Sequence, residues 1–236
     1  MDAKDRHLLL WETCYNVREL GGFATNRGSR TRFGAFIRAD NLARLSETGK
    51  ESLLTYGVGT IIDLRSEYEL EIDPPPFAQS SGRPNYPRYI NTPFLNEDDK
   101  DAIEKLDQMK SLVEMYHWML DKFQKNIGVA MTHISNATGK GPILFHCHSG
   151  RDRTGIVAAF LLLLAGVEKQ IVVNDYALSN EYIQPTYTKT LYKNPEVMLE
   201  TIEYLEQKYG GVSSYLLQAG VTQKDLQRLV SHLTTS

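Results

Sequence analysis

One short stretch constrains this chain more than any other. The apolar run Pro142-Ile143-Leu144-Phe145 leads into His146-Cys147-His148-Ser149-Gly150-Arg151-Asp152-Arg153-Thr154-Gly155, and the apolar run Ile156 to Leu164 follows at once. A buried strand, a glycine-bearing turn and a buried helix fit this order, with Cys147 at the strand's carboxyl end. Cys147 and Arg153 have five residues between them. A loop of that length can curl its backbone N–H groups inward as an anion nest at a helix N-terminus, with a thiol at its floor.

The residue types suit phosphoryl transfer. A free thiol with pKa ~8.5 is mostly protonated at neutral pH, and a helix N-terminus favours the thiolate. Cys147 is therefore the expected nucleophile. His148, Ser149, Gly150, Arg151, Asp152, Arg153 and Thr154 are expected to bind the phosphoryl group. Gly150 permits close backbone approach, and the planar fork of Arg153 can clamp two oxygens. Thr154 can donate its hydroxyl to the sulfur. Asp152 is the first candidate for general acid and Asp63 the second, the alternative for Asp63 being an ion pair with Arg65. Asp98, Asp99 and Asp101 can serve only if their segment closes over the site. His146 is expected to orient the loop. His146-Cys147-His148 makes a poor metal site, because adjacent side chains rarely converge on one ion. No metal and no cofactor is called for.

The rest of the chain reads as alternating strands and helices. Phe33 to Ala39 and Val58 to Leu64 are strand-like. Ser46 caps a helix through Tyr56, which Gly57 stops. Residues 73–88 carry Pro74-Pro75-Pro76, Pro84 and Pro87 and read as a loop; strand signals resume at Tyr89-Ile90. Helical patterning runs from Ala102 to Ala137, with a break expected near Asn126-Ile127-Gly128. This insertion is either a lid or a helix packed on the sheet. Helices are expected over 154–165 and from Glu168. Met198, Ile202, Leu205 and Tyr209 line one face of another, which Gly210-Gly211 ends. Thr222 and Asp225 suggest a capping box for a last helix. The expected fold is a three-layer α/β/α arrangement with a central, mainly parallel sheet. A helical lid is one option, and the chain is expected to form one domain over residues 1–236.

Composition narrows the function. A formal net charge of −3 over 236 residues gives no reason to expect a nucleic-acid partner. Two cysteines, Cys14 and Cys147, fit a reducing compartment better than a secreted disulfide framework. The N-terminal apolar run Leu8 to Trp11 is too short for a signal peptide. Ile156 to Ala165 is too short to cross a bilayer, so no integral membrane segment is expected and the cytoplasm is the expected location. Cys14 is not expected to act as a resolving partner for Cys147.

The loop resembles that of the protein tyrosine phosphatase superfamily, and in particular the bacterial tyrosine/serine phosphatases whose loop reads His-Cys-x-x-Gly-Lys-Asp-Arg-Thr-Gly. Asn16-Val17-Arg18-Glu19-Leu20-Gly21-Gly22 is similar to that family's Asn-Phe-Arg-Asp-Leu-Gly-Gly. Arg38-Ala39-Asp40 is similar to its Arg-Ser-Asp, and Ile62-Asp63-Leu64-Arg65-Ser66 to its Asp-Leu-Arg-Ser. Asp175-Tyr176, Ser179-Asn180 and the segment from Tyr209-Gly210-Gly211 to Gly220-Val221 extend the likeness. The resemblance implies a cysteine-dependent phosphomonoesterase of protein-tyrosine or dual specificity, working through a phosphocysteine. Cys147 would be the nucleophile, Arg153 the clamp and Asp152 the acid. Phosphorylated protein is the implied substrate. Phosphoinositide is a second, because several members act on it, although Arg151 stands where the family has the lysine linked to that activity. A non-catalytic phosphate-binding module is a third reading. A sulfur-transfer enzyme fits Asp152 and Thr154 less well.

Overall fold

The computed structural model describes residues 7–81, 83–183 and 196–234. Five strands form one sheet: β1 (Arg18–Glu19), β2 (Phe36–Ala39), β3 (Thr60–Asp63), β4 (Arg88–Asn91) and β5 (Ile143–His146). Their order is β1-β2-β5-β3-β4. β2, β5, β3 and β4 run parallel, and β1 pairs antiparallel with β2 at the edge. The expected mainly parallel sheet is present. The strands are shorter than the sequence patterning suggests, because Phe33 and Val58 lie in the connections entering β2 and β3.

Side-chain alternation divides the core between the two faces of the sheet. Phe36, Ile62, Ile143 and Phe145 join the larger hydrophobic cluster. Ile37, Ala39, Ile61 and Leu144 join the smaller one. The smaller cluster is closed by Trp11, Cys14, Val17, Phe77 and Leu53, the last from helix α1 (Glu47–Tyr56). The larger is closed mainly by α4 (Leu112–Lys122), α5 (Gln124–Ala137), α6 (Asp152–Leu164), α7 (Lys169–Tyr182), α8 (Glu196–Tyr209), α9 (Val212–Gln218) and α10 (Gln223–Leu233). Two further helices, α2 (Glu67–Ile72) and α3 (Lys100–Gln108), flank β4 in sequence. Among the described residues no helix is long and apolar enough to cross a membrane.

Local signals place several boundaries. The Ser46 side chain accepts from the Gly49 N–H, and Gly57 ends α1 at φ 84°. Thr222 and Asp225 make the expected reciprocal capping box. The break in the middle insertion falls elsewhere than expected. The helices part at Met109 to Ser111, between α3 and α4, and again at Phe123, between α4 and α5, while Asn126-Ile127-Gly128 is inside α5. Gly128 is there for packing, since a Cβ would stand 2.2 Å from the Ala219 carbonyl oxygen. Helix α4 is a packed helix: Tyr116, Met119 and Leu120 are buried in the larger cluster. Asp99, one of the lid candidates, caps α3 through the Ala102 N–H and pairs with Lys122 at 2.7 Å.

The pairing register aligns Ala39, Asp63 and His146 across β2, β3 and β5. The chain leaves all three strands at one edge of the sheet. Cys147 sits at the middle of that edge, where parallel sheets place their ligand crevices.

Candidate active site

The loop from Cys147 to Arg151 is held from outside through its carbonyls. His148 O accepts from the Asn41 N–H at 3.0 Å. Ser149 O accepts from Asn16 Nδ2 at 3.1 Å. Gly150 O accepts from Arg38 Nη2 at 2.9 Å. A trans peptide sets its C=O and the next N–H on opposite sides. Three carbonyls fixed outward therefore turn the N–H groups of Ser149, Gly150 and Arg151 to the hollow side of the loop. Gly150 has φ 68°, and a Cβ there would lie 2.5 Å from the Ala39 carbonyl oxygen. No other residue fits both the conformation and the space.

Cys147 is 1% exposed at the foot of this hollow. Helix α6 begins at Asp152 and directs its N-terminus toward the loop. The Thr154 hydroxyl is buried and makes no hydrogen bond among the described residues, which leaves it available to sulfur or a phosphoryl oxygen. His146 holds the strand end: its Nδ1 lies 3.2 Å from the Cys147 carbonyl oxygen and its Nε2 3.4 Å from Asp63.

Asp63 is a brace. Its carboxylate accepts from Arg65 Nε at 3.0 Å, Arg65 Nη2 at 2.7 Å and the Tyr89 hydroxyl at 2.9 Å. Burial alone would raise its pKa, but His146 and Arg65 outweigh burial and hold it well below the usual carboxylate range. A fully buried carboxylate bonded by Arg65 and Tyr89 has no proton to give. The ion pair with Arg65, the alternative reading of Asp63, is present, and with Tyr89 it commits this carboxylate to bracing the strand end.

The Arg151 side chain is 3% exposed, with its guanidinium 5.4 Å from the ring centre of Tyr176. The half-buried His148 lies near Glu69 and Arg153, and burial lowers its pKa.

Sequence reasoning gave no role to two sets of residues. The first is Glu69, which holds Arg153 by two parallel bonds, Nη1 to Oε2 at 2.5 Å and Nη2 to Oε1 at 2.7 Å. A third bond, from Nη1 to the Leu64 carbonyl at 3.5 Å, leaves Arg153 its Nε hydrogen and a second Nη2 hydrogen for an oxyanion. Glu69 also closes a capping box with Ser66 on α2. The Ser66-x-x-Glu69 pattern was the signal that could have revealed it. The second set is a fully buried cluster under the loop. Asp175 receives Arg18 Nε at 2.9 Å and Arg38 Nη1 at 2.5 Å. Ser179 Oγ accepts from both arginines, and Arg18 also bonds Asn16 Oδ1.

Burial would raise the Glu69 pKa, but Arg153 outweighs burial and brings it down from 4.5 to about 2. A depressed folded-state pKa gives stability that is complete above the unfolded value. That stability is lost as pH falls through the folded one. The wild type should therefore exceed Glu69→Gln in unfolding free energy at neutral pH, and the gap should close as pH falls from 4.5 toward about 2. Urea unfolding of both proteins across that window checks this. A constant gap would show that the ion pair contributes nothing.

The family model described as the tyrosine phosphatase family matches residues 9–235. A tyrosine-protein phosphatase of Nostoc commune is 30% identical over 218 residues, covering 83% of this chain and 72% of the relative. The triple specificity protein phosphatase PtpB of Mycobacterium tuberculosis is 26% identical over 267 residues, covering 91% of this chain and 95% of the relative. Among solved structures, TpbA of P. aeruginosa is 17% identical with a TM-score of 0.38, covering 85% of this chain and 97% of that one. With a family model spanning nearly the whole sequence, this chain belongs to the tyrosine phosphatase family.

Proposed function

We propose that this protein hydrolyses phosphomonoesters on proteins, phosphotyrosine first and phosphoserine or phosphothreonine as well, and that residues 1–236 work as one domain. In the first step the Cys147 thiolate attacks phosphorus as the P–O bond breaks, and Asp152 gives its proton to the leaving oxygen. In the second, water attacks the phosphocysteine, Asp152 takes the water's proton, and sulfur leaves as thiolate with the Thr154 hydroxyl beside it. The N–H nest and Arg153 bind the phosphoryl oxygens throughout. The observation that carries this reading is the anchoring of three successive loop carbonyls away from Cys147. It preorganises the donors before substrate arrives. Both cysteines are free thiols, which fits a reducing compartment such as the cytoplasm.

Phosphoinositide substrates are less well supported. A head group with several phosphates needs further exposed cations beside the loop, and the Arg151 side chain is packed against Tyr176 instead. The test is phosphate release from phosphotyrosine peptide, phosphothreonine peptide and phosphoinositide vesicles, with chelator present. Peptides should turn over faster than lipid. Arg151→Ala should lower all three rates together, through the loop it supports. Lipid as the fastest substrate, with a selective lipid loss in Arg151→Ala, would reverse this assignment.

A further inference from the structure

Asp152 opens α6, so its backbone is fixed while its carboxyl can still rotate about χ1. A general acid must present one particular oxygen to the leaving group. The structure supplies a restraint from another helix. The Tyr116 hydroxyl, on α4, donates to Asp152 Oδ1 at 2.5 Å. Tyr116 is 0% exposed and packed in the larger core cluster, so it cannot follow a rotating carboxyl. Its oxygen also lies 2.8 Å from the hydroxyl of Tyr176 on α7. Tyr116 has one hydroxyl hydrogen and gives it to Asp152, so Tyr176 is the donor in that second bond. Tyr176 is itself fixed. Its ring stands edge-on to Tyr116 at 6.2 Å. It also packs so closely on α6 that a Cβ at Gly155 would come within 3.0 Å of it.

We propose that Tyr116, oriented by Tyr176, is the positioning residue for the general acid. It anchors Oδ1 of Asp152, so Oδ2 carries the proton to the leaving oxygen and later receives one from water. This inference rests on the reading of Asp152 as the acid.

The effect should depend on the leaving group. Phenolate needs a proton as it departs; 2,4-dinitrophenolate, a far weaker base, does not. The test measures kcat/KM of the full chain on phenyl phosphate and on 2,4-dinitrophenyl phosphate. The proteins compared are wild type, Asp152→Asn, Tyr116→Phe and Tyr176→Phe. Asp152→Asn should lose roughly 10²-fold on phenyl phosphate and much less on the dinitrophenyl ester. Tyr116→Phe should show the same discrimination, with a loss ~10-fold larger for the poor leaving group, as part of the acid's contribution. Tyr176→Phe, one bond further out, should show it more weakly and carries the test if Tyr116→Phe does not fold. Equal losses on both esters would reduce Tyr116 to a packing residue and overturn the proposal. So would an unchanged rate on phenyl phosphate. If Asp152→Asn itself fails to discriminate, the acid lies elsewhere and this role for Tyr116 falls with it. The nucleophile is tested separately, by trapping of a phosphocysteine.

Discussion

Cys147→Ser should reduce phosphate release by about 10⁴-fold or more, the scale seen when a nucleophile is removed from a preorganised site, while phosphotyrosine peptide still binds. Serine keeps the side-chain shape but not the chemistry. Sulfur is intrinsically a far stronger nucleophile than a serine hydroxyl. Binding should survive because it rests on other atoms. The inward N–H groups of Ser149 to Arg151 are set by Asn41, Asn16 and Arg38, and Arg153 is set by Glu69. None of these bonds involves sulfur. Turnover and calorimetric peptide titration on the same preparation check both halves. Residual turnover within a few-fold of wild type would remove Cys147 as nucleophile. Loss of binding along with turnover would show that the thiolate helps to shape the nest.

Asp175→Asn should cost about 3–5 kcal/mol of stability, the range for removing one partner of a buried ion pair. At this chain length that lowers Tm by roughly 10 °C. Asp175 lies between two arginines that are each 0% exposed. Burial would raise its pKa, but Arg18 and Arg38 outweigh burial and hold it below the usual range. Without it two guanidiniums face one another in the core. Burial and the nearby Arg38 already pull Arg18 down to about 10. Activity should fall too, since Arg38 fixes the Gly150 carbonyl and with it the neighbouring N–H of Arg151. Thermal melts together with turnover well below the melt test this. A melting point within a degree or two of wild type would mean that the arginines find other partners.

Much of this architecture is carried by short stretches of chain. The strand, turn and helix around Cys147 are legible because an apolar run, a glycine with positive φ and a second apolar run lie adjacent in sequence. The Ser46 and Thr222 caps are legible because a capping side chain bonds a backbone N–H only three residues away. The break at Phe123 was misplaced because Gly128 reads locally as a helix breaker. Its reason for being there is Ala219, on a distant segment.

The site divides in the same way. Cys147, Asp152, Arg153 and the nest are contiguous, so their order and spacing define them as a unit. Which partners each carboxylate meets is decided mostly by contacts between separate elements. Asp63 is taken by Arg65, Tyr89 and His146, while Asp152 meets Tyr116 from a helix 36 residues away in sequence. Glu69 on Arg153 and Asp175 on Arg38 are likewise pairings between separate elements, at separations of 84 and 137 residues. The sequence by itself determined the chemistry, because the loop's nucleophile, donors and turn residues are neighbours along the chain. Only the tertiary structure decided how that chemistry is held. The charge and orientation of each side chain depend on burial and on partners that folding brings from across the sheet.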